Sequence, residues 1–341
     1  MKKPTKKKDR FAGLIGQEKA KRKVDFHLDN FDATKVIPHL MFIAPKGCGK
    51  TLMAKAVGRN LLSAEPTTRT VTNTMGERIT TEVPAGKAPK KFLEVNCASI
   101  KSVPQFVEGL LLEKILGKEV TVLFDEAHML PNDVSMFLLT ALNPNADNFT
   151  SMTFNDHTFD FNFRRQSFIF ATTEAHKIFH ALIDRCTRID LEEYTTNELG
   201  RIVKLNLDNI NLKCDKDLFD EIASVLRGNA RAAQKMANDM KNYLARAKKQ
   251  KFDAGDWEKL KHALSIMPLG LNDIEIQILK ALRGRKDCSL TNLSAKVGMT
   301  AQCIRQDFEM YLQKQNLMNI STGGRSLTPE GEEYLQVNNI K

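Results

Sequence analysis

From Phe11 to about Arg188 short apolar runs alternate with amphipathic stretches, the pattern that a parallel sheet flanked by helices requires. The runs at His39–Ala44 (HLMFIA), Phe92–Asn96 (FLEVN), Val120–Asp125 (VTVLFD) and Ser167–Thr173 (SFIFATT) are short, apolar and rich in β-branched or aromatic residues. They predict buried parallel strands, with a fifth at Thr187–Leu191.

Two stretches interrupt this rhythm. Residues 63–91 are rich in Thr, Pro, Gly and Lys and too long for an ordinary connection, which predicts an inserted loop whose segment RTVTNTMGERITTEV pairs as a hairpin around Met75–Gly76. Residues 148–163 (NFTSMTFNDHTFDFNF) alternate on either side of Asn155–Asp156, the signature of a second hairpin rich in phenylalanine. From Thr195 to about Leu264 the apolar spacing becomes helical throughout. After Pro268 and Gly270 come three short helical patterns, at Asp273–Leu282, Ser289–Val297 and Ala301–Gln313, then a strand, a Gly-Gly turn and another strand. Those are the parts of a winged helix-turn-helix. The expected organisation is a basic tail over 1–10, an α/β domain over 11–189, a small helical domain over 190–268 and a winged helix over 269–341.

Composition changes this picture little. No run approaches the ~20 apolar residues of a membrane span, and the lysine-rich start is not followed by a signal-peptide core, so a cytosolic protein is expected. The six cysteines are scattered without zinc spacing and read as reduced thiols. The net charge of +10 suggests a nucleic-acid partner, but half of it lies in the first ten residues. Such a tail either touches phosphates or is a solvated terminal segment.

The chemistry is more specific. APKGCGKT (Ala44–Thr51) follows the first apolar strand and precedes a helical run. A glycine-rich turn there presents backbone N–H groups and a helix N-terminus to phosphates, Lys50 reaches the terminal phosphates, and the Thr51 hydroxyl can ligate Mg²⁺. The pattern G-x-x-x-x-G-K-[ST] is broken at its first position, where Ala44 stands, although Gly47 and Gly49 remain where the turn is tightest. VTVLFDEAH runs an apolar strand into two carboxylates. Asp125 at the tip can hold Mg²⁺ and Glu126 can act on the attacking water as general base. FATT ends in Thr172 and Thr173, hydroxyls at the tip of an otherwise apolar strand.

The order P-loop, DEAH, FATT, LIDRCTRIDLEEYT, RGNARAAQK resembles the AAA+ superfamily and, within it, the RuvB family of Holliday-junction branch-migration motors. The likeness extends from FAGLIGQEKAK to GGRSLTPEGEEYL. It implies an AAA+ parallel sheet, a helical lid and a C-terminal winged helix, with ATP and Mg²⁺ as cofactors and an ATPase activity driving a ring along duplex DNA or a four-way junction. Residue by residue, the resemblance makes Thr173 the sensor-1 residue, Arg185 an arginine finger inserted into a neighbouring subunit, and Arg231 the sensor-2 arginine. Leu14, Ile15 and Gln17 would lie near the adenine, Pro45, Lys46, Cys48 and Leu52 would line the phosphates with the glycines, and Asn96 would restrain Glu126. A finger acting in trans implies a homo-oligomer, a hexamer by the family's habit. Arg185 has Glu174 and Asp184 as alternative partners, and Arg231 can equally be a solvated lid residue.

The phenylalanine hairpin at 148–163 corresponds to the element that binds the RuvA adaptor, which would give Phe154 and Phe159 a docking role unless one face packs on the sheet. Arg305 on the recognition helix and Arg325 after the Gly323–Gly324 turn suit phosphate contact. Winged helices also serve as protein-packing modules. The missing first glycine, the 63–91 insertion and the IDRCTRID segment, which resembles clamp loaders as much as RuvB, mark a divergent member. Two other readings follow: a clamp-loader-like ATPase, or a nucleotide-controlled DNA-binding switch.

Overall fold

The structure is a computed structural model describing residues 9–72, 78–143, 148–154 and 157–340. It divides into two compact units: Met1–Leu205 with Gly228–Gln234, and Asn206–Arg227 with Lys235–Lys341.

The first unit begins with helix α1 (Glu18–Thr34), strand β1 (Leu40–Ile43) and helix α2 (Lys50–Asn60). β2 (Thr67–Thr72) and β3 (Arg78–Val83) form an antiparallel hairpin pairing Thr72 with Arg78, as expected within 63–91, while its turn lies outside the described residues. β4 (Lys91–Asn96) leads to helix α3, which starts at Val103–Phe106 and continues as a π-helix over Val107–Ile115. Then come β5 (Val120–Asp125), α4 (Asn132–Ala141), the hairpin β6 (Phe149–Phe154) and β7 (His157–Asn162), β8 (Gln166–Thr172), α5 (His180–Asp184) and β9 (Thr187–Asp190).

Five of these strands make one parallel sheet in the order β4-β5-β8-β1-β9. Successive side chains on a strand point to opposite faces, and both faces here are covered. Met41, Val122, Phe124, Phe168 and Phe170 enter a core with α3, α4 and the β6–β7 hairpin, whereas Leu40, Phe42, Leu123, Ile169 and Ala171 enter one with α1 and α2. The order also puts β8 between the strand that opens the P-loop and the strand that ends in DEAH. Thr172 is level with Ile43 in the register, so three chemical loops leave adjacent strand ends on one edge of the sheet, where α/β folds bind ligands.

Arg10, counted with the tail by charge, is anchored on α1. Its guanidinium meets Asp25 at 2.6 Å, Asp29 at 2.7 Å and Asp32 at 2.5 Å. Residues 1–8, with the lysines of that tail, lie outside the described residues.

Helices α6 (Thr196–Asn209), α7 (Leu218–Ser224), α8 (Ala230–Ala247) and α9 (Ala254–Ala263) follow, with a two-residue parallel pairing of β10 (Lys213–Cys214) and β11 (Lys251–Phe252) that apolar spacing did not announce. Helices α10 (Asp273–Leu282), α11 (Leu290–Val297) and α12, which runs over 301–314 with a π-helical middle, precede the antiparallel pair β12 (Met318–Ile320) and β13 (Arg325–Leu327) and helix α13 (Pro329–Val337). Thr300, Ser289 and Asn272 cap three of these helices through their side-chain oxygens, which is why each starts where it does. Within the second unit Arg227 donates to Gly270 O, pairs with the fully buried Glu275 and stacks 4.2 Å over Tyr311, tying the chain before α8 to α10 and α12.

Candidate nucleotide site

The loop from Ala44 to Gly49 is pinned at its start by Ala44 N donating to Thr172 O at 3.2 Å. Ala44 lies outside the left-handed backbone region, so the missing first glycine costs nothing there. The other two glycines are required. Gly47 has φ +81°, and a Cβ on it would meet Asn229 Oδ1 at 1.9 Å; Gly49 has φ +90°, and a Cβ would meet the Tyr194 hydroxyl at 2.7 Å. Lys50 is 8% exposed, and its ammonium donates to Ala44 O at 2.9 Å and Pro45 O at 3.1 Å. Burial lowers its pKa, opposed by Glu126, Cys48 and Asp125 and reinforced by Arg231. Lys50, the two carboxylates and Arg231 thus share one electrostatic neighbourhood.

Gly49 caps α2 with no side-chain acceptor, leaving the first-turn N–H groups facing the loop. Thr51 Oγ1 donates to Asp125 Oδ2 at 3.2 Å across 74 residues of sequence. Among the described residues no cluster of three or more His, Cys, Asp or Glu is poised to hold a metal. A magnesium ion held by Thr51 and Asp125 would take its remaining ligands from phosphate oxygens and water. The cradle of glycine turn, lysine and open helix terminus fits a nucleotide polyphosphate.

Glu126 follows Asp125 with φ +53°, a left-handed conformation that costs a non-glycine residue of order 1–3 kcal/mol and turns the carboxylate off the strand direction. Its backbone N–H donates to Asp125 Oδ1 at 3.0 Å, and its Oε2 is buried without a hydrogen-bond partner. Asn96, expected to restrain it, spends its side-chain oxygen capping the next turn through Ala98 N at 3.0 Å. The side chain facing Glu126 is His128, whose Nδ1 lies 3.6 Å from Oε2. Cys97 is also in this neighbourhood: burial first, then Asp125 and Glu126, push its thiol well above the usual range and keep it protonated. At the β8 tip Thr172 is fully buried and bonded to His128, while Thr173, the next residue, is half-buried at the strand end.

Leu14 is buried and Ile15 half-buried on the segment before α1. Gln17 locks that segment to the P-loop unit by donating to Glu192 O at 2.6 Å and accepting from Glu192 N at 3.0 Å. Tyr194 is a further member: it packs on Gly49, its phenol is pushed up to about 12, chiefly by burial, and Gln17 bonds its hydroxyl. At the other side Ala230 N donates to Gly47 O at 3.0 Å, and Asn229 Oδ1 caps Arg231 N and Ala232 N while covering Gly47. This brings the exposed Arg231 to the loop. Pro45, Lys46 and Leu52 are exposed around the rim and Cys48 is buried beneath it.

Arg185 stands apart from this group. It terminates α5, donates to Ala181 O at 3.0 Å, leaves Nε buried without a partner, and makes no ion pair with Glu174 or Asp184 among the described contacts. Arg188, the other arginine of the segment, is taken by Asp190 at 2.7 Å.

Two expectations fail. Phe159 is 2% exposed and packs with Met152 and Phe161 in the sheet core, so it is not a docking side chain; inward alternation claimed it, leaving Ser151, Thr153, Thr158 and Asp160 on the outer face. The Phe154 side chain lies outside the described residues. Arg325 is not free for phosphate either: its guanidinium forks onto Glu309 at 2.8 and 3.2 Å, with the carboxylate almost fully buried, while its backbone pairs with Cys288. Arg305 is exposed on α12. Residue-type reasoning also passed over His128, Asn229 and Tyr194. All three sit inside conspicuous segments, DEAH, RGNARAAQK and LIDRCTRIDLEEYT, and an Asn before a helical run is a readable capping signal.

A glycine-rich loop between a parallel strand and a helix, an acidic strand tip beside it and a helical segment folded onto the loop define a P-loop ATPase of the AAA+ class. Residues 40–194 match the family described as ATPase family associated with various cellular activities (AAA), and residues 268–336 match the RuvB C-terminal winged helix domain. The Holliday junction branch migration complex subunit RuvB of Mycoplasmopsis pulmonis is 22% identical over 96% of this chain and 96% of its own length, and that of Prochlorococcus marinus is 25% identical over 97% and 87%. The Thermotoga maritima RuvB Holliday junction branch migration motor shares the fold with a TM-score of 0.70 at 20% identity, over 94% of this chain and 95% of that one. The chain is a RuvB-like AAA+ ATPase. Among the described residues no helix is long and apolar enough to cross a membrane.

Proposed function

We propose that this protein is an ATP-driven motor that assembles as a ring on duplex DNA and migrates four-way junctions. The observation that carries the ATP chemistry is the contact between Thr51 and Asp125 next to a Glu126 carboxylate oxygen that nothing else occupies. In this reading Lys50 leaves the loop carbonyls for the terminal phosphates, exchanging two neutral acceptors for charged ones. Thr51 and Asp125 would hold Mg²⁺, which when bound would supply positive charge against the phosphates. Glu126 takes the proton of the attacking water and Thr173 orients that water or the γ-phosphate. Arg231 reports the nucleotide to the helix that carries it. Leu14, Ile15 and Gln17 bound the base.

Arg185 supplies the missing positive charge to a neighbouring subunit's site. What supports it is that Arg188 is spent on Asp190, whereas among the described residues Arg185 pairs with no carboxylate. One subunit then carries half of two sites, so turnover requires assembly, and a hexamer follows from the relatives' habit. The DNA reading rests on the relatives' names and on the winged helix, with Arg305 the exposed arginine of α12. Electron microscopy of the protein with ATPγS and a four-way junction tests the whole: rings encircling duplex arms are expected, and DNA-free pentamers would overturn the motor in favour of a loader.

A further inference from the structure

His128 was singled out by no motif reasoning, yet it is the side chain that faces the proposed general base. Its Nε2 lies 3.1 Å from Glu174 Oε2, its Nδ1 3.1 Å from Thr172 Oγ1 and 3.6 Å from Glu126 Oε2, and its side chain is only 9% exposed. Glu174 is held in turn by Lys177 at 2.8 Å, whose hydrogen bond keeps its carboxyl below the usual range. An ionised carboxylate only accepts hydrogen bonds, so the proton of a neutral ring sits on Nε2. Nδ1 then presents a lone pair, to which the Thr172 hydroxyl donates while accepting the Glu174 backbone N–H at 3.0 Å. Every polar atom of that network is satisfied except Glu126 Oε2. At 3.6 Å it is too far for a hydrogen bond and faces a lone pair, so the ring backs the carboxylate without engaging it.

We infer that His128 is a positioning residue for the hydrolytic base, an inference resting on the reading of Glu126 as that base. Anchored by Glu174 and Thr172, the imidazole ties the tip of β8 to the turn carrying Glu126 and closes the carboxylate's path away from the phosphates. The carboxylate, with Oε2 buried against the ring, is thereby held for the lytic water on its exposed side. The rigid ring explains how Glu126 stays available in a strained left-handed conformation without a bond of its own.

The test compares H128A, H128N, H128Q and E174A by steady-state ATPase kinetics, ATPγS affinity and thermal midpoint on the full chain. H128A is expected to lower kcat 10- to 100-fold with KM and ATPγS affinity within twofold. Asn places an amide atom near the Nδ1 position and Gln near Nε2, so H128N is expected to recover at least threefold more kcat than H128Q. E174A, which frees the ring, is expected to lose less than H128A, and with H128N it carries the test if H128A does not fold. An unchanged kcat in H128A, a parallel loss of nucleotide affinity, or rescue by Gln equal to that by Asn would each overturn the inference. E126Q separates the two levels: if it still hydrolyses ATP the base assignment itself fails, whereas a dead E126Q beside a fully active H128A refutes only the role of His128.

Discussion

Substituting Gly47 by alanine perturbs the site at the point where loop and α8 meet. The new methyl would sit 1.9 Å from Asn229 Oδ1 and 2.4 Å from its Cγ, and the backbone there has φ +81°. Holding a non-glycine residue in that region costs roughly 1–2 kcal/mol. Expelling Asn229 also removes the cap on two N–H groups of α8, worth about 1 kcal/mol. The loop relaxes before the sheet core does, so the combined 2–3 kcal/mol appears as lost nucleotide affinity, roughly 30- to 150-fold. N229A alone loses only the cap, about 1 kcal/mol. The double variant G47A/N229A should be no worse than G47A, a coupling of about 1 kcal/mol, because the asparagine is already displaced. Titration with a fluorescent ATP analogue, alongside thermal melting, measures all three. Strictly additive losses, or normal nucleotide binding by G47A, would refute this account of the glycine.

Arg325→Ala strands the buried Glu309 carboxylate, so the winged helix should lose about 3–5 kcal/mol in chemical denaturation; Arg305→Ala should leave stability within about 0.5 kcal/mol but lower the salt slope of DNA binding by about 1. His39 is buried with its Nδ1 unpartnered among the described residues, and burial lowers its pKa to about 4 from the usual 6.5. Between those values the unfolded chain takes up a proton that the folded chain refuses, so stability falls as pH drops from 6.5 towards 4. H39L should flatten that part of the pH–stability curve by up to ~3 kcal/mol at pH 4, and an unchanged slope would contradict the assignment. R185A and E126Q should each be inactive as ATPases alone, yet mixing them should restore part of the activity, because some interfaces then pair an intact base with an intact finger. Absence of complementation in assembled mixed rings would remove Arg185 from the neighbour's site.

Much of the fold was written in local pattern. The strand predicted at Val120–Asp125 is β5 to the residue, and the other four predicted strands match β1, β4, β8 and β9 within a residue or so at each end, because a buried parallel strand must be apolar on both faces and short. The P-loop and the acidic pair were legible for a similar reason: chemistry confines glycine, lysine, threonine and carboxylate to fixed offsets along one strand–loop–helix.

What sequence could not settle was which of two plausible partners a side chain takes. Alternation allowed Phe159 to face solvent or core, and only the β6–β7 register against the sheet put it inside. A glycine turn before Arg325 suggested an exposed wing tip, but β13 pairs with Cys288 and brings the guanidinium to Glu309 on α12, sixteen residues away. Asn96 and His128 were both polar residues beside the acidic pair, and the backbone after β4 turned one into a cap while β8 brought Thr172 and Glu174 to the other. The residues of the nucleotide site are set by short-range covalent spacing, which sequence displays. Their partners are set by packing between segments such as Thr172 on His128, 44 residues apart, and Asn229 on Gly47, 182 apart, which only the folded chain decides.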